Sequence, residues 1–304
     1  MYRRMLVPLD GSQLAEVVFV YAKELAGRLD LDVILLSVYE PHEKSSPMHR
    51  AYIDLAAETI QRESIDIQTK SGVRHGSRTV TARGELAEGY PAEEILRYAD
   101  ENDVDLILMA SHGHSGIRRW AMGSVAEKVL HSSKVPVLLI RSCVPEDIVY
   151  DRWSRTTLLV PLDGSHMAES VLPHVESLAK QRGHQKVDVT LLHVYEHPSI
   201  VSQLDRFLIP KGHTEHPANI SPDAEEEYLA GVTKQLEDKR LSVHSVTLEG
   251  QPAEEIVDYA NQNHFNLIVM ATHGRSGLGR WAYGSVAHKV LLGVSSPLFL
   301  VRPQ

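Results

Sequence analysis

Short, unbroken apolar runs alternate along this chain with longer stretches in which apolar residues recur every three or four positions. MLVPLD (5–10), DVILLSVY (32–39), VDLILMA (104–110) and PVLLI (136–140) have strand length. A run without polar alternation suits a parallel strand buried on both faces. A further strand is expected near RTVTAR (78–83). Leu14, Val17, Val18, Tyr21 and Leu25 share one face at helical spacing. A second helix is expected over about 50–64, a third from Pro91 and a fourth from near Ser124; proline suits a first helical turn. LLVPLD (158–163), DVTLLHVY (188–195), SVTLE (245–249), NLIVMA (266–271) and PLFLV (297–301) repeat the series, with a helix expected near 223–239. Such alternation implies a parallel sheet with right-handed crossovers and helices on both faces.

The repetition extends to residue identity. DLILMASHGHSGIRRWAMGSVAEKVL (105–130) and NLIVMATHGRSGLGRWAYGSVAHKVL (266–291) align without a gap, and LVPLDGS and PAEEI recur in the same order. This is a duplicated domain, with a period far too long for a solenoid. A chain of 304 residues matches two units of roughly 150 each. The expected fold is α/β: two tandem doubly wound, Rossmann-like domains, 1–143 and 154–304, each with a five-stranded parallel sheet. The boundary falls in the polar segment 142–157.

Charge and composition narrow the partners. The net charge is −9, so broad attraction to nucleic acid or an acidic membrane is not expected. No apolar stretch reaches bilayer-spanning length. The sole cysteine, Cys143, cannot form an intrachain disulfide. MYRRMLVPLDGS runs straight into a strand pattern, with no targeting segment visible. The expected location is cytoplasmic.

Three strand ends in each half carry unusual residues. The first strands end in Pro8-Leu9-Asp10-Gly11-Ser12 and Pro161-Leu162-Asp163-Gly164-Ser165, the second at Val38 and Val194. The fourth run from Met109 and Met270 into loops holding Gly113-His114-Ser115-Gly116 and Gly274-Arg275-Ser276-Gly277. These loops return to helix starts at Gly123-Ser124-Val125 and Gly284-Ser285-Val286. Ligands of open α/β sheets sit outside the carboxyl ends of the strands. Glycine lets backbone N–H groups approach an anion, and a helix N-terminus supplies free N–H groups and positive dipole. Together they form a phosphate cradle, and a strand-end aspartate can accept hydrogen bonds from an adenine amino group or a ribose.

Plainer roles compete. Asp-Gly-Ser is turn chemistry, but its duplication beside the glycine loop favours a ligand role. Ser124 opens a capping box with Glu127, whereas His288 replaces the glutamate after Ser285. Trp120 and Trp281 read as packing residues, and Met109 and Met270 also suit a core. Among His112, His114, His213 and His216, His112 recurs as His273 with no acidic or cysteine partner at ligand spacing, and His213-Thr-Glu-His216 sits in a Pro-containing loop, so surface or loop histidine is the default and no dedicated metal site is expected. Ser115 and Ser276 do not sit in Gly-x-Ser-x-Gly, and neither a Walker A sequence nor Gly-x-Gly-x-x-Gly follows the first strand. No catalytic residue is expected, and any hydrolysis should be slow.

The spacing of Gly113 and Gly274, each followed after nine residues by Gly-Ser, resembles the ATP-binding subclass of the universal stress protein family in a tandem two-domain form. The likeness covers nearly the whole chain, twice. It departs at the first glycine of the family pattern, which is Ala110 and Ala271 here. The resemblance implies an adenine nucleotide alpha hydrolase-like fold with ATP as ligand, ADP and AMP as alternatives, and Mg as accompanying cation. Asp10 and Asp163 would contact adenine or ribose, Val38 and Val194 would offer backbone groups to adenine, and Met109 and Met270 would pack beside the base. Gly113, Gly123, Ser124 and Val125, with Gly274, Gly284, Ser285 and Val286, would hold phosphates. The family pairs through its last strand, which implies an intramolecular pseudo-dimer, with a further homodimer also expected.

The two sites differ. His114 stands opposite Arg275, and Arg118 opposite Gly279. Arginine is always charged, so the second site is expected to bind ATP more tightly at neutral pH, and the first to gain affinity as pH falls toward about 6. GELAEGY before Pro91 also reads as longer than EGQ before Pro252, and so as a partial cover for the first site. Three functions compete: a nucleotide-dependent stress regulator acting on an unidentified protein partner, a slow ATPase or phosphotransfer enzyme, and a nucleotide-free scaffold using the loops at 41–49 and 197–222.

Overall fold

The computed structural model describes residues 2–41, 47–70, 78–111, 122–141, 155–180, 186–196, 222–274 and 283–303. The first half contributes β1 (Arg4–Leu9), β2 (Asp32–Tyr39), β3 (Ala82–Glu88), β4 (Leu106–Ala110) and β5 (Val137–Ile140). The second contributes β6 (Arg155–Leu162), β7 (Lys186–Tyr195), β8 (Ser242–Glu249), β9 (Leu267–Ala271) and β10 (Leu298–Val301). All ten form one sheet in the order β3-β2-β1-β4-β5-β10-β9-β6-β7-β8. Pairing within each half is parallel. The halves join where β5 and β10 run antiparallel, with Phe299 opposite Leu138.

Strand periodicity splits each buried run between two layers. Met5, Val7 and Leu9 of β1 enter one core with Val18, Tyr21 and Leu25, while Leu6 faces the other with Ile107 and Met109 of β4. The first layer is covered by α1 (Phe19–Leu29), preceded by a 3-10 turn at Ala15–Val18, by α2 (Pro47–Lys70) and, in the second half, by α5 (His166–Glu169), α6 (Leu172–Ala179) and α7 (Pro222–Glu237). The second is covered by α3 (Pro91–Glu101), α4 (Ser124–Ser132), α8 (Pro252–Asn263) and α9 (Ser285–Gly293). No described helix is long and apolar enough to cross a membrane.

Two expectations are corrected. The second helix runs well past 50–64 at both ends, to Pro47 and Lys70. The third strand lies at Ala82–Glu88, so GELAE is strand rather than a cover for the first site. β3 pairs only with β2, and an edge strand tolerates charged residues that hide its pattern. Gly89 and Gly250 are then equivalent, each two residues before a helix-opening proline, with φ of +151° and +153°. A Cβ on Gly89 would lie 2.6 Å from Glu94 Cγ, and one on Gly250 2.6 Å from Glu255 Oε1. The second glutamate of each PAEEI therefore folds over the glycine that turns the chain from edge strand into helix.

Candidate functional site

The order β2-β1-β4 places a topological switch between β1 and β4, and between β6 and β9 in the second half; ligands of open α/β sheets bind at such points. Both β1 and β6 end in the same turn. Asp10 Oδ1 accepts from the backbone N–H of Ser12 at 3.0 Å and from its hydroxyl at 2.6 Å. Asp163 Oδ1 does the same with Ser165, at the same distances. The serine oxygens then accept from Ala15 and Ala168 N–H, both at 3.1 Å. Gly11 and Gly164 sit at φ +75° and +80°, where a side chain is strained. The turn role of the aspartates is therefore real, and it occupies one carboxylate oxygen.

The other oxygen of Asp163 meets the loop after β9. A Cβ on Gly274 would lie 2.1 Å from Asp163 Oδ2. Only glycine lets the backbone come this close to the strand-end carboxylate, so the two residues that repeat in the sequence also meet in space.

Each glycine loop is pinned at both ends. Ser111 N–H donates to the Ile140 carbonyl at 2.7 Å, and Gly123 N–H donates to the Ser111 carbonyl at 2.9 Å. Thr272 N–H donates to Val301 and Gly284 N–H to Thr272, both at 2.8 Å. The loops thus leave and return at one point, bringing the N-termini of α4 and α9 to the strand ends. Gly123 and Gly284 are the N-cap residues, extended at φ/ψ −66°/145° and −64°/154°. The expected capping box at Ser124 is not formed. Gly123 takes the cap position and its carbonyl accepts from Glu127 N–H at 2.9 Å, so Glu127 lies one residue too late for the reciprocal bond. Ser124 and Ser285 are exposed first-turn residues. The N–H groups of Ser124, Val125 and Ala126, and of Ser285, Val286 and Ala287, precede the first intrahelical bond and have no acceptor within the helix.

The remaining predicted residues fall around these ends. Pro8 and Leu9 lie opposite Leu36 and Ser37, Pro161 and Leu162 opposite Leu192 and His193, and Val38 and Val194 opposite Ala87 and Leu248. Met109 and Met270 are both buried in the layer beneath α4 and α9. Gly113, His114, Ser115, Gly116, Arg275, Ser276 and Gly277 lie outside the described residues, as do His112, Arg118, Trp120, Gly279, Trp281, Cys143, His213, His216 and most of the loop 197–222. Among the described residues no group of three or more His, Cys, Asp or Glu could hold a metal.

One residue escaped the sequence reading. His193 is buried, and its Nδ1–H donates to the Leu162 carbonyl at 2.8 Å, directly before Asp163. Its signal was a break in the repeat, since Ser37 stands at this position in the first half.

The fold and these strand ends define a tandem α/β protein in which each half brings the pinned ends of a glycine loop and a helix N-terminus to its strand ends, and in the second half the loop glycine meets the strand-end aspartate. The model of the universal stress protein family matches residues 1–141 and again 154–302, and the chain belongs to that family. It is 26% identical to a universal stress protein of Mycolicibacterium smegmatis over 317 residues, covering 99% of this chain and 97% of that one. It is 31% identical to the universal stress protein YxiE of Bacillus subtilis over 150 residues, covering 46% of this chain and all of that one. The crystal structure of a universal stress protein from Archaeoglobus fulgidus has the same fold, with a TM-score of 0.63 at 22% identity and 98% of each chain covered.

Proposed function

We propose that the two halves, 1–143 and 154–304, each bind one adenine nucleotide, ATP first among them, and that the chain is a nucleotide-dependent stress regulator. The observation that carries this reading is the close approach of Gly274 to Asp163 Oδ2, beside a helix start whose first N–H groups have no acceptor within the helix. A side chain at 274 would fill the space between the carboxylate and the loop. The donors suit a nucleotide: backbone amides and a dipole for phosphate, and a carboxylate for ribose or adenine. Bound nucleotide would supply phosphate charge at the helix start. The chain's own part is to fix the loop ends at Ser111 and Gly123 and at Thr272 and Gly284, and to orient the ligand through Asp10 and Asp163. Regulation follows if a partner distinguishes the loaded from the empty form, because a ligand shifts a population only through differential affinity.

Calorimetric titration of nucleotide-stripped protein with ATP, ADP and AMP tests the reading. The expected result is two ATP per chain at micromolar dissociation constants, about −8 kcal/mol, lost when Gly113 and Gly274 are both replaced by valine. Absence of binding to the wild type would leave the scaffold reading. Turnover above spontaneous hydrolysis that is lost with Ser285→Ala would favour the enzyme instead.

A further inference from the structure

We propose that Arg141 and Arg302 are positioning residues exchanged between the halves, each setting the helix whose N-terminus holds the other half's nucleotide. The inference rests on the nucleotide reading above. Arg141 directly follows β5 and Arg302 directly follows β10. These strands lie antiparallel side by side, so each arginine leaves its own half and enters the neighbour's. Arg141 Nη2 donates to the Leu291 carbonyl in the last turn of α9. Arg302 Nη1 donates to the His131 carbonyl in the last turn of α4, at 3.2 Å. A cation there satisfies a carbonyl with no helical donor and opposes the negative end of the helix dipole.

The opposite ends of these helices are the candidate phosphate cradles. Each helix has nine residues and is only about 13 Å long, so a tilt at its last turn is carried to its first. The arginines are tied to the cradles a second time. Ile140, next to Arg141, accepts the bond that pins the first loop at Ser111, and Val301, next to Arg302, accepts the bond that pins the second at Thr272. Each arginine thus joins the base of its own half's loop to the far end of the other half's helix. His131 adds a contact, its ring lying edge-on to Tyr283 with centroids 4.6 Å apart, one residue before the N-cap Gly284. Arg141 is 8% exposed, and its Nε has no hydrogen-bond partner among the described residues. A buried guanidinium is a costly way to fill space, and holding α9 in place gives it a role that packing alone does not.

Two single-site proteins test the exchange: Gly274→Val, which reads the first site, and Gly113→Val, which reads the second. ATP affinity is measured in each with Arg302→Met or Arg141→Met added, and folding is checked by circular dichroism. Arg302→Met should weaken the first site by about two- to fivefold and the second by less. Arg141→Met should do the reverse. Lysine at either position should recover most of the loss, and Arg141→Gln, which also removes the cation, replaces the methionine variant if that does not fold. Equal losses at both sites, a larger loss in the arginine's own half, or no loss at all would overturn the proposal. Failure of both arginine-containing single-site proteins to bind ATP would instead overturn the nucleotide reading, and this one with it.

Discussion

At the scale of the residue, the candidate site was legible where chemistry repeats and illegible where packing decides. Asp10 and Asp163 stood out because Asp-Gly-Ser occurs twice, and the structure gives each aspartate one oxygen for its turn. The closeness of Gly274 to Asp163 could not be read, because it depends on where two strands more than a hundred residues apart end. The seam holds a similar pairing that no motif announces. The Tyr2 hydroxyl, ahead of β1, bonds His174 Nδ1 on α6, and the rings stack with centroids 5.8 Å apart. Burial holds the His174 imidazole below its ordinary value of 6.5. Below that ordinary value the unfolded chain takes up a proton that the folded chain resists, so stability falls as pH drops through about 6.5 and levels off below the folded value. Urea unfolding across this range should show a shallower acid-side loss for His174→Asn than for the wild type. Parallel slopes would mean that His174 does not contribute.

At the scale of the element, continuous apolar runs located the central strands well, since β1, β4, β5 and their counterparts are buried on both faces. The edge strand was misplaced because Ala82–Glu88 has one strand neighbour and carries Arg83, Glu85 and Glu88, which read as loop. Its true position gives PAEEI a structural task. Gly250 combines a φ of +153° with a glutamate 2.6 Å from where a Cβ would be, so two independent penalties meet there. Gly250→Val should cost about 1–3 kcal/mol, as backbone strain of this kind does, measured as a lower urea midpoint with an unchanged slope. Adding Glu255→Ala should recover the steric part and leave the conformational part. A double variant no more stable than Gly250→Val would show that the glutamate simply moves aside.

At the scale of the whole molecule, duplication predicted two similar halves, and the family resemblance added pairing through their last strands, which the single sheet contains as β5 beside β10. The join follows from an edge problem. β5 reads Val-Leu-Leu-Ile with every residue buried, and as a free edge such a strand would be a template for association. β10 covers it, in a register centred near Leu138 and Phe299, and the remaining edges are the charged β3 and the polar β8. Since β5 and β10 are occupied by each other, a homodimer of the full chain would have to use another surface. A fragment of residues 1–141 lacks β10 and should pair antiparallel with its own copy, because the near-two-fold relation of the halves makes the β5 surface nearly self-complementary. Sedimentation equilibrium should therefore find the fragment dimeric, and Leu139→Lys should make it monomeric by placing a charge in the buried seam. A folded fragment that stays monomeric without the lysine would show that β5 recognises β10 specifically, through Phe299 and its contacts with Tyr2 and His174, rather than through a general pairing of last strands.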